Sequence, residues 1–280
     1  MHKSFLKWAG NKFRVLPNLL PHIGNPKKYI EPFGGSLSVA LNINAEEYIL
    51  NDINQDLYSL YTNIDEEFVD ECKELFTGEN NTKEKYLELR KLFNSIGDCR
   101  ERAKLFLYLN KHAFNGLSRY NSKGEYNVPY GRIGKDSKTG EKKITEAYFP
   151  EQELNHFRDV FLTQKVNFFN TCFSDESLYQ NIESGDVVYF DPPYVPASET
   201  ASFTDYAKEG FTYDQQVQLA ELAESLCNRC AKVIISNHDT PVSRQLYKNA
   251  QIYPIEVRRS ISAKSSSRKK AKELIAIYES

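Results

Sequence analysis

Long hydrophobic runs are missing from this sequence. No apolar stretch approaches the roughly 18 residues that a membrane-spanning helix requires, and the N-terminal MHKSFLKWAGNK lacks the apolar core of a signal peptide. Cysteine is scarce and odd in number, five in 280 residues, which argues against a disulfide framework. Cys227 and Cys230 form a C-x-x-C pair, but no second Cys or His pair stands at zinc spacing. We therefore expect a cytoplasmic protein without membrane contact and without a metal.

Net charge is also small. The 36 Lys and Arg residues nearly balance the 38 Asp and Glu residues, which leaves a formal charge of −2. This balance excludes a uniformly basic surface, but it does not exclude local basic patches that bind nucleic acid. Aromatic residues are abundant instead, with 18 Tyr and 17 Phe, and they predict a packed core rather than a disordered chain. The length fits one large domain, or one domain with an insertion.

Four short apolar stretches have the length of buried β-strands, and each is followed at once by Gly, Pro, Asn or Asp. They are Tyr29-Ile30 before EPFGG, Tyr48 to Leu50 before NDIN, Val187 to Phe190 before DPPY, and Val233 to Ile235 before SNHD; in the first and last of these, one Glu or Ser precedes the Pro or Asn. Helical patterns separate several of them, as in the segment 213–230. This alternation predicts an α/β fold with a mostly parallel sheet. Because such sheets bind ligands at the carboxyl ends of their strands, the four polar segments are candidates for a site.

The middle of the chain has a different character. Residues 56–109 are charged and helical in pattern, with no strand-like run. The segment 113–132 is rich in Gly, Asn, Arg and Tyr, and Ser122-Lys123-Gly124 has the composition of a hairpin turn. A polar, lysine-rich loop, 134–143, comes next. We predict that residues 56–145 form an inserted domain of helices and a β-hairpin, within a discontinuous domain made of 1–55 and 146–280.

The segment Asp191-Pro192-Pro193-Tyr194 suggests a chemistry. The Asp191 carboxylate and the Pro192 carbonyl are both hydrogen-bond acceptors, and the two prolines restrict the backbone so that both can converge on one amino group. The Tyr194 ring offers a flat face on which a base can stack. Two acceptors on an aromatic amino group would make its nitrogen more nucleophilic toward a methyl donor, without a metal or a covalent intermediate. A buried strand that simply ends at Pro-Pro is the structural alternative.

Two further strand ends are candidate ligand-binding segments. The Gly34-Gly35 pair lets the backbone approach a ligand closely, although a tight turn is an alternative explanation. Asp52 follows the next strand, at the position where nucleoside-binding sheets place an acid on ribose hydroxyls. The alternative for Asp52 is a helix N-cap.

In their order along the chain, these segments resemble the Dam-type DNA adenine methyltransferases, over nearly the whole sequence. FLKWAGNK is similar to the family's N-terminal cofactor motif, EPFGGS to its glycine motif, NDIN to its ribose-binding acid and DPPY to its catalytic loop; FNGLSRYNSKGEYNVPYGR is similar to its recognition hairpin. The resemblance implies a Rossmann-like methyltransferase sheet with helices on both faces. It also implies that methyl is transferred from S-adenosylmethionine to the amino nitrogen of a flipped-out adenine in double-stranded DNA, within GATC, with release of S-adenosylhomocysteine.

The resemblance also assigns residues to roles. Catalysis is assigned to Asp191, Pro192 and Tyr194, and cofactor binding to Trp8, Lys12, Phe33, Gly35, Asp52 and Asp191. DNA binding is assigned to Phe114 as a wedge, Asn115, Leu117 and Pro129 at bases, Arg119 as the reader of a guanine, and Arg132. We expect a monomeric enzyme of bacterial or phage type.

Three positions depart from the family pattern. Asn11 stands in the first motif where Gly is more usual. Leu37 stands where the family's F-x-G-x-G motif would carry its last Gly, and Ile133 stands where relatives carry an aromatic residue. Two other functions stay open from the sequence: a catalytically inactive DNA- or cofactor-binding relative, and an amino methyltransferase that acts on RNA or protein. Asp191 favours adenine over an amide as the acceptor.

Overall fold

The computed structural model describes residues 1–131, 148–196, 211–258 and 270–279. The chain divides into two compact units. A sheet unit comprises Lys12–Gly34, Asn42–Ile53 and Gln164–Ser280, and a helical unit comprises Met1–Asn11, Gly35–Leu41 and Asn54–Thr163. The domain bounds predicted above, 1–55 with 146–280 and 56–145, stay a prediction.

The helices and strands run as follows. The helices are α1 (Leu16–Ile23), α2 (Gln55–Asn63), α3 (Glu66–Glu74), α4 (Lys83–Phe93), α5 (Cys99–His112), α6 (Glu151–Leu162), α7 (Tyr213–Asn228) and α8 (Pro241–Leu246). The strands are β1 (Lys28–Glu31), β2 (Glu47–Asn51), β3 (Lys165–Phe169), β4 (Val187–Phe190), β5 (Lys232–His238), β6 (Gln251–Arg258) and β7 (Lys270–Tyr278). Single 3-10 turns occupy Lys12–Arg14, Ala40–Asn42, Phe114–Gly116 and Glu176–Tyr179.

The seven strands form one sheet in the order β3-β2-β1-β4-β5-β7-β6. β1 to β5 are mutually parallel, whereas β7 is antiparallel to both β5 and β6. All four residues of β4 are buried, as expected for a central parallel strand covered on both faces. The predicted α/β fold with a mostly parallel sheet is therefore confirmed, and so are the four predicted strands, which are β1, β2, β4 and β5.

The long helix of the sheet unit, α7, shows why the local sequence folds as it does. Thr212 caps its N-terminus in a capping box with Gln215, which satisfies backbone N–H groups that the first turn leaves unpaired. Leu219, Ala223 and Leu226 recur at helical spacing and are fully buried in the core of this unit. The predicted helix over 213–230 is confirmed, and it ends at Asn228.

The helical unit is held together by similar means. Asn54, Asp65, Thr82 and Asp98 each accept a backbone hydrogen bond at the N-terminus of a helix, from α2 to α5 in turn. The five consecutive residues from Leu105 to Leu109 of α5 are buried. After α5 the chain forms a short hairpin, bridged at Ala113 with Tyr130 and at Tyr120 with Tyr126. Its turn closes by a bond from the N–H of Gly124 to the carbonyl of Asn121, so the predicted hairpin turn is confirmed.

In the part of the chain that the structure describes, no helix is both long enough and apolar enough to span a bilayer.

Candidate active site and DNA-binding surface

Asp191 follows β4 directly and forms an ion pair with Lys12. The Lys12 Nζ lies 2.7 Å from Asp191 Oδ1, and both side chains are largely shielded from solvent. The same ammonium lies 4.6 Å from the centre of the Tyr194 ring, over its face. One N–H donor therefore contacts both the carboxylate and the aromatic face of the DPPY segment.

Electrostatics at Asp191 are set by opposing effects. Burial, which disfavours the charged form, is the largest effect and raises the pKa of the Asp191 carboxyl above its ordinary value. The Lys12 ammonium acts in the opposite direction by attraction and hydrogen bonding, and Glu273 on β7 raises the pKa further by repulsion. The net result is a raised pKa, and Lys12 opposes the tendency of this carboxylate to take up a proton.

The backbone after Asp191 is held by a buried polar network. The side-chain amide of Gln216 donates to the Pro193 carbonyl at 2.8 Å, and the side-chain Oδ1 of Asn237 accepts from the Val195 N–H at 2.9 Å. Asn237 in turn donates to the Tyr247 hydroxyl at 2.9 Å. The Pro193 carbonyl is thus occupied, whereas no described residue donates to the carbonyl of Pro192.

The Tyr194 ring is fixed from two sides. The His238 ring packs edge-on against it, with 4.9 Å between ring centres, and His238 Nδ1 bonds to the Val195 carbonyl at 2.6 Å. The Tyr194 hydroxyl donates to Glu273 Oε2 at 3.4 Å. Because His238 on β5 pairs directly with Glu273 on β7, the antiparallel strand pair sets both contacts.

Phe33 and Asp52 follow the neighbouring strands β1 and β2. The Asn51 side chain ties these strand ends together, since it donates to the carbonyls of Pro32 and Thr171 at 2.9 and 3.1 Å. Asp52 is half-buried, and its backbone carbonyl accepts from Asn170 at 2.8 Å. The alternative of an N-cap is wrong for Asp52, because Asn54 caps α2. Phe33 packs in the aromatic core of the unit, stacked on the ring of Phe173.

Trp8 and Gly35 contact each other in the helical unit. A Cβ atom at Gly35 would lie 2.9 Å from Trp8 Nε1, and the Gly35 φ of +49° is unfavourable for other residues, so this position requires glycine. The Tyr61 hydroxyl donates to the Gly35 carbonyl. Leu37, two residues later, also has a positive φ, +52°. The missing motif glycine therefore coincides with a left-handed backbone that this chain reaches with a buried leucine.

The hairpin of the helical unit exposes the residues expected to bind DNA. Phe114 and Leu117 are large apolar side chains with 42% and 37% exposure, and Asn115, Arg119 and Pro129 are exposed as well. Exposed apolar groups of this size often mark an interaction surface. Arg119 Nε donates to Asn127 Oδ1 at 2.7 Å across the hairpin, which orients the guanidinium. Arg132, Ile133 and the loop 134–143 lie outside the described residues.

Comparisons with known proteins agree with this geometry. The family model for D12 class N6 adenine-specific DNA methyltransferases matches residues 8–261. The chain belongs to this family. It is similar to proteins named DNA adenine methylase: 44% identical to that of Escherichia coli K12 over 281 residues, 43% to that of Salmonella typhi and 42% to that of Vibrio cholerae O1 El Tor Inaba N16961. Each comparison covers 99% of this chain and 96% of the relative. The protein is thus an adenine-specific DNA methyltransferase.

Sequence reasoning did not identify several residues that shape the site of this adenine methyltransferase. The DPPY segment is bonded directly by Gln216 and Glu273. Asn237 bonds the next residue, Val195, and is itself bonded to Tyr247. None of these four residues was a candidate. Asn237 lies in the SNHD stretch, one of the four polar segments that follow the predicted strands, and this was the available signal. Gln216 and Glu273 lie in segments with an ordinary amphipathic sequence pattern, and only the fold brings them to the site.

Proposed function

We propose that this protein transfers a methyl group from S-adenosylmethionine to the N6 amino group of adenine within GATC in duplex DNA, with Asp191 and the Pro192 carbonyl as the two acceptors. The contact of the Lys12 ammonium with Asp191 and the face of Tyr194 carries this proposal. An N–H donor above an aromatic ring has the arrangement that an exocyclic amino group would have when its base stacks on Tyr194. The adenine would therefore take over a position that Lys12 fills.

Each acceptor has a role in the chemistry. Asp191 and Pro192 would orient the amino group and increase electron density on its nitrogen, and Asp191 can accept the proton that the nitrogen loses once it is methylated. S-adenosylmethionine, when bound, supplies an electrophilic methyl group on sulfur. Electrostatic and positional effects of this kind need no covalent enzyme intermediate. A base in a duplex cannot reach both acceptors, so the adenine must leave the stack.

The strand ends of the sheet unit fit the cofactor. The half-buried Asp52 carboxylate ends β2, and a carboxylate can accept both hydroxyl hydrogens of a ribose. In the same unit Phe33 follows β1 and Lys12 pairs with Asp191, and we propose both of them, with Asp52 and Asp191, as cofactor contacts. Trp8 and Gly35 stay predicted contacts, supported by the resemblance and by the lack of space for a side chain at Gly35.

The hairpin supports a role in sequence recognition. We propose that Arg119 reads a guanine by two hydrogen bonds in the major groove. Asn127 holds the guanidinium through Nε at 2.7 Å and through Nη2 at 3.4 Å, and each terminal nitrogen keeps at least one further N–H for the base. Leu117 and Pro129 are proposed to contact thymine methyl groups, and Phe114 to fill the gap that the flipped base leaves. Asn115 and Arg132 stay predicted DNA contacts.

The test is methyl transfer from labelled S-adenosylmethionine to two duplexes, one with GATC and one with the same four bases in scrambled order. We expect label in N6-methyladenine on the GATC duplex alone, no label with Asp191→Ala, and full label with the exposed control Asp214→Asn. Label on both duplexes would refute the recognition site but keep the reaction. Full activity of Asp191→Ala would refute the assigned chemistry.

A further inference from the structure

We propose that the partly buried ion pair of Asp56 with Arg102 acts through Tyr120 as the anchor that orients the recognition hairpin. These three are then positioning residues for sequence discrimination. This inference rests on the proposed function of the hairpin. All three residues belong to the helical unit, and none of them is expected to contact DNA.

The anchor is a compact set of charge-assisted hydrogen bonds. Arg102 Nε donates to Asp56 Oδ1 at 2.6 Å, and the Tyr120 hydroxyl donates to Asp56 Oδ2 at 2.5 Å. Asp56 is only 5% exposed. Arg102 also donates to the Phe93 carbonyl at 2.7 Å, and its guanidinium lies 4.0 Å from the centre of the Phe93 ring. One carboxylate from the first turn of α2 thus joins α5, the end of α4 and the hairpin.

Such a carboxylate is bound tightly to its partners. Hydrogen bonds to a charged group are stronger than neutral ones. Burial and the adjacent Asp56 charge both raise the pKa of the Tyr120 hydroxyl, so it stays protonated and remains a donor. Tyr120 is therefore held in one orientation relative to the helices.

Orientation matters because neighbouring residues of a strand point to opposite sides. Tyr120 points toward the ion pair, and Arg119 is exposed. The hairpin has two isolated bridges and a few cross-strand backbone bonds, such as that from the Asn127 N–H to the Arg119 carbonyl at 3.1 Å, rather than a continuous ladder. Side-chain contacts therefore help to fix the side that each residue faces. If Tyr120 were free to leave the anchor, Arg119 would no longer be presented in one direction.

The two hairpin strands are anchored separately. The second strand is held by α4, since Tyr86 and Arg90 both donate to the Val128 carbonyl at 2.9 Å. The first strand, which carries Arg119, is tied to α2 and α5 through Tyr120. Loss of the Tyr120 bond should thus disturb the reader strand while its partner strand stays in place.

The test is Tyr120→Phe in the full-length enzyme. Discrimination is measured as kcat/KM on a GATC duplex divided by kcat/KM on a duplex in which the guanine is replaced. We expect this ratio to fall about tenfold, which corresponds to roughly 1.4 kcal/mol of lost discrimination. S-adenosylmethionine affinity and kcat at saturating GATC should stay within about twofold. Tyr148→Phe, which removes an exposed hydroxyl bonded to Glu153, is the matched control and should leave the ratio unchanged.

Arg102→Lys provides an independent variant, because it keeps the charge but cannot bind Asp56 and Phe93 together. It should lower the same ratio, and the double variant with Tyr120→Phe should lose less than the sum of both effects. A lower melting temperature with an unchanged ratio in both variants would overturn the proposal. If the wild type does not prefer GATC, the proposed recognition site fails, and the ratio is then measured on the sequence that the wild type does methylate.

Discussion

The Gln216 side chain donates a hydrogen bond to the carbonyl of Pro193 at 2.8 Å, from the first turn of α7 into the segment that follows Asp191. Gln216 is fully buried, as are its network partners Asn237 and Tyr247. A buried amide of this kind is stable only if its polar groups are paired, so the network and the loop depend on each other. The bond from Gln216 fixes the backbone directly after Pro192, whose carbonyl is the proposed second acceptor.

Gln216→Met should therefore reduce kcat by more than the loss of folded enzyme alone would explain. Methionine keeps the volume but cannot donate, so the Pro193 carbonyl loses its partner and the acceptor beside Asp191 loses its fixed position. A misplacement of about 1 Å can reduce a rate about 100-fold, and we expect kcat to fall by 10- to 100-fold with a smaller change in KM for DNA. Steady-state kinetics with a GATC duplex measure both parameters.

The adjacent Gln215 offers the matched control. Its side chain completes the capping box of α7, so Gln215→Met should reduce stability by about 1 kcal/mol while kcat stays near the wild-type value. Equal kinetic effects at both positions would show that Gln216 has a general structural role rather than a positioning role.

The acid limb of the activity profile should depend on Lys12. Only an ionised Asp191 accepts hydrogen bonds from an amino group with both oxygens, so activity should fall as the pH decreases through the Asp191 pKa. Burial raises this pKa and Lys12 lowers it. Removal of the ammonium in Lys12→Met should therefore move the acid midpoint of kcat/KM to higher pH, by about one unit or more.

Lys12→Arg keeps the positive charge and is the control for this experiment. Its acid midpoint should stay close to that of the wild type, even if its absolute activity falls because of altered contacts. An unchanged midpoint in Lys12→Met would contradict the assignment of the acid limb to Asp191. Both profiles must be recorded at saturating S-adenosylmethionine, because Lys12 is also a proposed cofactor contact.

The sequence predicted the central strands well, since parallel strands covered on both faces must be apolar throughout, as Val187 to Phe190 are. The strands it missed have weaker patterns. β3 is a half-exposed edge strand with a central Asn167, and β6 contains Pro254, which an edge strand tolerates because one side of its backbone needs no partner. Composition alone does not distinguish such segments from loops.

The active-site residues show the same division. Asp191 and Tyr194 are adjacent in sequence and belong to a recognisable motif, so the sequence identified them. Gln216 and Glu273 reach the same segment from elements more than twenty residues away, and their contacts depend on strand order and register. Long-range polar pairing of this kind has no local sequence pattern.

Leu37 should show an unusual order of variant stability. Its φ of +52° costs a non-glycine residue about 1–2 kcal/mol, and its side chain is buried. Leu37→Ala loses packing, typically about 2.7–5 kcal/mol, and keeps the strain. Leu37→Gly loses slightly more packing but relieves the strain. We expect both variants to be less stable than the wild type, and the glycine variant to be at least as stable as the alanine variant in urea unfolding.

At an ordinary helical position the order should be reversed. Leu60 is fully buried within α2, where glycine is about 1 kcal/mol less favourable than alanine. Leu60→Gly should therefore unfold at lower urea than Leu60→Ala. If the glycine variant is the less stable one at both positions, the left-handed backbone at Leu37 is not a source of strain.

His112 should make the enzyme less stable in mild acid. Burial is the main reason that the pKa of its ring falls to about 4, from the ordinary 6.5, and its Nε2 has no hydrogen-bond partner among the described residues. Between these two pH values the unfolded chain binds a proton that the folded chain does not, so stability decreases as the pH falls from 6.5 toward 4. A shift of this size corresponds to about 3 kcal/mol at most.

His112→Phe, which keeps a ring between Tyr108 and Phe76, should flatten the pH dependence of the unfolding free energy in this window. His2→Phe, at an exposed position, is the control and should leave most of this pH dependence intact. A slope equal to that of the wild type in His112→Phe would assign the acid sensitivity to other groups.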